Sequence, residues 1–349
     1  MINVGIIGLG FMGATHIKAW LECAADARLA ALCNPSGRHL DGDFTDVSGN
    51  LGTDAPLKVD MTTTKAFRSF DEMLADPEID LIDICTPTHT HRELAIAALQ
   101  AGKHVLCEKP LAMTVEEAAE MVRAAEAAGV TFATNHHLRC SGSHRAVRAL
   151  IEEGRIGRVL SLRIFHAVHL PEALRGWRID DPGAGGGVIP DITVHNADVA
   201  RFLLGEDPAT VVAQMTASGM GQGVEDSAMS VWTMPSGAMV FAHESFTHPF
   251  AGSGLEVHGT EGSIFAQGVM TQLPLGEIEL VTARGREAVP FPDHNLYAQA
   301  VREFSEAAAG RGRPAADGWD GVASLAVAMA VREAARTGAR QAVRIGGGA

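Results

Sequence analysis

The sequence is short of positive charge. Lys and Arg total 28 against 42 Asp and Glu, a formal net charge of −14 over 349 residues. A surface that acidic repels phosphate backbones and anionic lipid, so nucleic acid and membrane are excluded as expected partners. Long apolar runs are missing as well, none reaching the roughly 20 residues that span a bilayer. The opening MINVGIIGLG carries no basic region and enters a strand pattern at once, which does not read as a signal peptide. Cysteine is scarce. Cys23, Cys33, Cys85, Cys107 and Cys140 are odd in number, widely spaced and mostly set in apolar runs. That excludes a disulfide framework and predicts reduced thiols in a cytoplasm. No pair of them has metal-ligand spacing, so no metal site is expected. Internal repeats and low-complexity segments are also lacking. What is present is a globular composition, 46% hydrophobic and 20% charged, in a chain too long for one ordinary core.

The first third alternates strand and helix. Apolar strands are predicted at Val4–Ile7, Leu29–Cys33, Leu81–Cys85, His104–Cys107 and Val130–Ala133, with helices over Gly10–Leu21 and His91–Ala101. Thr114-Val-Glu-Glu117 is a capping box that opens a further helix, and Gly129 stops it. Strands separated by helices build crossover units and a parallel sheet. A polar Gly37–Thr64 segment interrupts this pattern and is too long for an ordinary connection. Beyond about residue 135 the pattern changes. After a helix at Ser143–Glu153 and a strand at Val159–Val168, strand-like runs follow one another between turn signals such as Pro235-Ser-Gly237, and helices close the chain at Leu296–Ala308 and Gly321–Thr337. The expected architecture is α/β: an N-terminal Rossmann dinucleotide-binding domain over 1–134, and a C-terminal α+β domain over 135–349 with an open, mostly antiparallel sheet for substrate binding and oligomerisation.

GIIGLGFMG contains Gly8-x-Gly10-x-x-Gly13 between a strand and a helix, the context that gives a glycine motif meaning. Gly8 permits a tight turn, Gly10 lets backbone approach a pyrophosphate, and Gly13 lets helix and strand pack closely. Phe11 and Met12 complete the loop. The second strand runs out into Asn34-Pro-Ser36-Gly-Arg38, with no acid to hold ribose hydroxyls. Ser36 and Arg38 suit an added phosphate, which tips the choice between NADP(H) and NAD(H) toward NADP(H). The alternative is that Arg38 is a solvated loop side chain. Thr86, Pro87 and His91, after the Leu81–Cys85 strand, and Glu108 with Lys109, after HVLC, are the remaining expected cofactor contacts.

Lys109 sits at the carboxyl end of a parallel strand, where ligands gather. Asp191 and His195 stand four residues apart behind Gly185-Gly-Gly187, at the start of what reads as an ordinary amphipathic helix. An imidazole passes protons near neutral pH, and a nearby carboxylate holds its ring. Reducing a ketone leaves an alkoxide that needs a proton and positive charge, which His195 and Lys109 can supply. The alternative is a structural helix cap with a satisfied histidine. Trp177-Arg178 offers a flat apolar face and a donor fork, suited to a sugar ring or to simple packing. His166 lies on a strand, on the face opposite Phe165 and Ala167.

The glycine loop, Glu108-Lys109-Pro110 and Gly-Gly-Gly-x-x-x-Asp191-x-x-x-His195, in that order, resemble the glucose–fructose oxidoreductase / inositol dehydrogenase (Gfo/Idh/MocA) family over the whole chain. TNHHLR, EGRIGR, FHAVHLPEALRGWR, the ASGMG to GVED run and EVHGTEGS are similar to a branch acting on an anhydrosugar. GLGFMG, NPSGR and Gly37–Thr64 depart from that branch. The resemblance implies hydride transfer between a nicotinamide and a ring carbon of a sugar or anhydrosugar. It also implies Lys109, Asp191 and His195 as the catalytic group, His166, Trp177 and Arg178 against the substrate, and a homodimer or homotetramer. Oxidative sugar or inositol dehydrogenation, an NAD-recycling glycosidase or lyase, and a non-catalytic dinucleotide sensor are the rival readings.

Overall fold

A computed structural model describes residues 1–47 and 56–346 of the chain. Of the Gly37–Thr64 segment, residues 48–55 therefore lie outside the described residues. The chain clusters into two compact units. The first comprises Met1–His136 together with Tyr297–Gly321, and the second His137–Leu296 with the chain from Val322 on. The single boundary expected near residue 135 thus meets a chain that crosses back: Tyr297–Gly321 returns to the first unit, with the Asp317 backbone bridging Ala133.

In the first unit the elements run β1 (Ile2–Ile7), α1 (Phe11–Glu22), β2 (Ala27–Cys33), β3 (Lys65–Phe67), α2 (Phe70–Leu74), β4 (Leu81–Ile84), α3 (His91–Gln100), β5 (His104–Cys107), α4 (Val115–Ala128) and β6 (Phe132–Thr134). The strands form a parallel sheet in the order β3-β2-β1-β4-β5-β6. The edge strand β3 was not anticipated, because three residues carry no periodic signal. Helices cover both faces of such a sheet, so its strands read as continuous apolar runs. Every residue of β4 is buried, including Asp83. The order reverses between β1 and β4, the switch point at which open α/β sheets bind ligands. The capping box of α4 is formed, with Thr114 Oγ1 accepting from the Glu117 amide and Glu117 returning to the Thr114 amide, each at 3.2 Å, and Gly129 closes the helix in the left-handed region.

The second unit contains α5 (Gly142–Glu152), β7 (Val159–Ala167), α6 (Trp177–Asp180), α7 (Val194–Leu204), β8 (Thr210–Thr216), β9 (Ser227–Thr233), β10 (Met239–Ser245), β11 (Gly254–Gly259), β12 (Gly262–Gln267), β13 (Glu277–Thr282) and β14 (Gly285–Ala288). The chain then passes through α8 (Leu296–Ala308) and α9 (Gly318–Thr337) to a short β15 (Gln341–Ala342). Among the described residues the sheet order is β14-β13-β12-β11-β7-β10-β9-β8-β15, antiparallel except where β7 runs parallel to β10. Its inner face carries Leu162, Ile164, Val240, Ala242, Leu255 and Val257, all fully buried. Each large aliphatic side chain there contributes about 1.5–3 kcal/mol.

The stretch before α7 departs from its sequence reading in two ways. Ile189–Thr193 is a turn of π-helix, with α-helix beginning only at Val194. And α7 is not amphipathic: His195, Asn196 and Asp198 are as buried as Val194, Ala197 and Val199. Its polar residues are inside because each meets a polar or ring partner there. Arg139, for example, donates to Asp198 from Nε at 2.9 Å and Nη2 at 2.6 Å.

Candidate active site

The glycine loop has the shape a pyrophosphate needs. Gly8 takes φ +92°, and a Cβ there would strike the Cys85–Thr86 backbone. A Cβ on Gly13 would strike the Gly8 carbonyl. Gly10, at the N-cap of α1, has open space where a Cβ would be, and no side chain caps the helix. An uncapped helix N-terminus facing open space is an anion seat, so these residues fit a dinucleotide. Phe11 and Met12 are half-buried in the first turn. Thr86 is half-buried and Pro87 exposed, and Thr90 Oγ1 donates to Thr86 Oγ1 at 2.7 Å. His91 is 1% exposed and spans two backbone carbonyls, that of Thr86 at 2.8 Å and that of Pro110 at 3.0 Å. Burial pushes its pKa down. It ties the loop after β4 to the loop after β5.

At the end of β2, Asn34 Oδ1 accepts from the Ser36 amide at 3.2 Å and from its hydroxyl at 2.9 Å, while Asn34 Nδ2 donates to the Arg38 carbonyl at 2.9 Å. Arg38 reaches Asp46 at 3.2 Å with both side chains exposed, a pairing worth little. A second guanidinium, that of Arg68, lies against Gly37. Sequence reasoning missed it because it follows β3.

Glu108, Lys109 and the cis Lys109–Pro110 bond follow β5. Behind them is a buried charge network that sequence reasoning also missed. His16 of α1 places Nδ1 2.8 Å from Asp83 Oδ2 and Nε2 2.9 Å from Glu108 Oε1. Trp20 Nε1 donates to Asp83 at 2.7 Å, Asn135 Nδ2 donates to Glu108 at 2.6 Å, and the Lys109 amide donates to Glu108 Oε2 at 3.2 Å. Burial opposes the charge on His16, but the Asp83 carboxylate outweighs it and holds the imidazole pKa well above the ordinary value. Burial likewise opposes charge on Glu108, yet His16, then Lys109 and Asn135, bring it down to about 2. His16, Asp83 and Cys85 also bring potential ligand atoms within 4.8 Å of one another. Each His16 nitrogen nonetheless has a carboxylate at hydrogen-bond distance, with the Asn135 side-chain amide also 2.9 Å from Nε2, and the two flanking carboxylates favour an imidazolium. The available signal was Asp83 itself, a charge inside a doubly covered strand that requires a buried partner.

The other candidate residues lie in the second unit. Arg178 Nε donates to Asp191 Oδ2 at 3.2 Å, and the Arg178 guanidinium lies 4.6 Å from the Trp177 ring centroid. His195, 7% exposed, has its ring 5.1 Å from that of His137, edge-on, and 6.3 Å from that of His166. The structure thus joins Asp191 to Arg178 and Trp177, and His195 to His166 and His137. His144, beside His166, has its pKa brought down to about 4 by burial and then by His166. Gly186 and Gly187 before the pair are closely packed, and a Cβ on Gly186 would strike the Trp177 and Asp181 carbonyls. Gly187 takes φ +112°, and a Cβ there would strike the Glu225 carboxylate. Glu225 Oε1 accepts from the Ile189 amide at 3.1 Å, and Asp226 next to it collects the amides of Ser218, Gly219, Met220 and Gly221. Those donors outweigh burial and hold Asp226 far below the usual carboxylate range.

A doubly wound sheet with a glycine loop at its switch point, and a second unit with an open sheet and a buried acid and imidazole, define a two-part nicotinamide-dependent oxidoreductase. The chain belongs to the Gfo/Idh/MocA oxidoreductase family: the model of its NAD-binding Rossmann fold matches residues 2–136, and that of a family C-terminal domain matches 144–265. It is 51% identical over 283 residues to 1,5-anhydro-D-fructose reductase of Ensifer adhaerens, covering 81% of this chain and 85% of that one. It is 32% identical to levoglucosan dehydrogenase of Pseudarthrobacter phenanthrenivorans, over 75% and 73% of the two chains. Among solved structures, aldose-aldose oxidoreductase from Caulobacter crescentus, complexed with glycerol, superposes with a TM-score of 0.84 at 26% identity, covering 98% and 99%. The family is one of NAD(P)-dependent sugar oxidoreductases, and this chain is an enzyme of that kind. No helix of the described residues is long and apolar enough to cross a membrane.

Proposed function

We propose that the protein reduces the ketone of 1,5-anhydro-D-fructose or a close anhydro-ketose, with NADPH preferred. The observation that carries this reading is the 51% identity to a reductase of that substrate, over four fifths of the chain. A bound nicotinamide supplies the hydride. His195 gives the proton to the carbonyl oxygen as it becomes an alkoxide, and takes one in the reverse direction. Asp191, oriented by Arg178, fixes the polarity of that part of the pocket. Trp177 and His166 bound the sugar ring, and Lys109 supplies positive charge to the developing oxyanion. A screen at the nicotinamide absorbance band, crossing NADPH and NADH with 1,5-anhydro-D-fructose, and NADP+ and NAD+ with levoglucosan and inositols, tests the reading. Turnover of the anhydro-ketose is expected. Oxidation of levoglucosan or an inositol without it would replace the reading by a dehydrogenase.

Arg38 and Arg68 support the cofactor preference, since guanidiniums are suited to a ribose phosphate. Arg38→Ala and Arg68→Ala should each raise KM for NADPH about tenfold, the worth of a charge-assisted hydrogen bond, with little change for NADH. A wild-type enzyme that prefers NADH would overturn the preference.

We further propose that the outer face of the large sheet pairs with a second copy, as a homodimer or within a homotetramer. Val212, Val231 and Phe241 stand in one cross-strand row, flanked by Met229 and Met239, and all five are 37–55% exposed. So large an apolar sheet face on one chain calls for a cover. Light scattering should find an oligomer for the wild type and a smaller species for Phe241→Asp. A monomeric wild type removes the proposal.

A further inference from the structure

Glu244 on β10 is fully buried. It stands in register beside His166 of β7 and Ala228 of β9. Asn196 Nδ2 of α7 donates to its Oε1 at 2.9 Å, and the Thr193 hydroxyl faces it from the π-helical turn. Asn196 directly follows His195, and Thr193 lies between Asp191 and His195. Glu244 Oε2 has no hydrogen-bond partner, nor have Asn196 Oδ1 and Thr193 Oγ1. As a carboxylate, Glu244 would be a fully buried charge with no ion-pair partner among the described residues, an unfavourable arrangement that the Asn196 amide and the Thr193 hydroxyl offset only in part. As a carboxylic acid it supplies an O–H donor for the otherwise unpartnered Asn196 Oδ1. Burial pushes its pKa up to about 8, which agrees with the protonated form.

We propose that Glu244 is a neutral glutamic acid that positions His195, by tying the π turn and the first turn of α7 to the strand beside His166. The reason lies in the backbone. A π turn replaces the regular helical ladder just where Asp191 and His195 must be held, so side-chain bonds to the sheet take over that task. Of the titratable groups, His166 of β7 stands in register beside Glu244, with His144 acting on His166, and Asp191 and His195 belong to the turns that carry Thr193 and Asn196. β9 presents only Ala228. The proposal rests on His195 as the acid–base residue.

The test compares E244Q, which keeps a donor and an acceptor, with E244A, which keeps neither. Infrared difference spectra at neutral pH should contain the carbonyl stretch of a protonated carboxylic acid that E244Q lacks. In the wild type kcat should fall as pH rises past about 8, because ionisation breaks the tie, and E244Q should lose that alkaline limb. E244A should lose about tenfold or more in kcat with KM little changed, and E244Q should restore most of it. No protonated-acid band, or an unchanged alkaline limb in E244Q, overturns the proposal. E244Q decides even if E244A fails to fold. A His195→Ala substitution that leaves kcat unchanged would remove the catalytic reading instead, leaving the infrared result for Glu244 intact.

Discussion

His195→Ala lowers kcat by about two to four orders of magnitude, the range for removing a positioned general acid, and leaves dinucleotide affinity within about twofold. Affinity survives because the glycine loop and α1 belong to the first unit and owe nothing to this side chain. Turnover does not, because protonating an alkoxide without a placed donor requires water, and His195 is 7% exposed among other rings. Steady-state kinetics alongside a dinucleotide titration by fluorescence makes the check. A change of only a few-fold in kcat would take His195 out of the mechanism.

His16→Ala should destabilise the protein by about 3–5 kcal/mol, as breaking a buried ion pair does when a partner charge is stranded. The substitution removes the cation between Asp83 and Glu108, which are 0% and 5% exposed. The loss depends on pH. Glu108 has its pKa brought down from 4.5 to about 2 in the fold, so it contributes stability that is present above about pH 4.5 and lost as pH falls toward 2. His16 has its pKa raised above 6.5, so its contribution is complete below that value and is lost as pH rises through the raised one. The difference between wild type and variant should therefore be largest between about pH 5 and 6.5, and narrow in acid as the carboxylates protonate. Urea denaturation across that range measures it. A difference below about 1 kcal/mol at its maximum would mean that the network carries no stabilising charge.

Much of the fold was legible because local chemistry repeats a regular signal. The buried parallel strands announced themselves as apolar runs, the Thr114–Glu117 box and Gly129 marked the ends of α4, and the glycine loop stood in its strand–helix context. The family followed from motifs in order along the chain. Other features were not legible. The π turn at Ile189–Thr193 and the Arg178 partner of Asp191 had no local signal. Gly187 makes room for the Glu225 carboxylate, a neighbour supplied by a distant segment. Asp83 and His16 are 67 residues apart, and Asn196 and Glu244 48 apart, with nothing periodic between them.

The sequence by itself determined the class of fold, the dinucleotide loop, the family and the residue types available for chemistry. These depend on hydrophobic periodicity and on short motifs whose members lie within one turn or one strand end. Only the tertiary structure decided which buried polar side chains face each other: His16 between Asp83 and Glu108, Asp198 against Arg139, Glu244 against Asn196 at the start of α7. The reason is physical. A polar side chain enters the interior only with a partner, and that partner is chosen by the packing of distant segments, which no local pattern records.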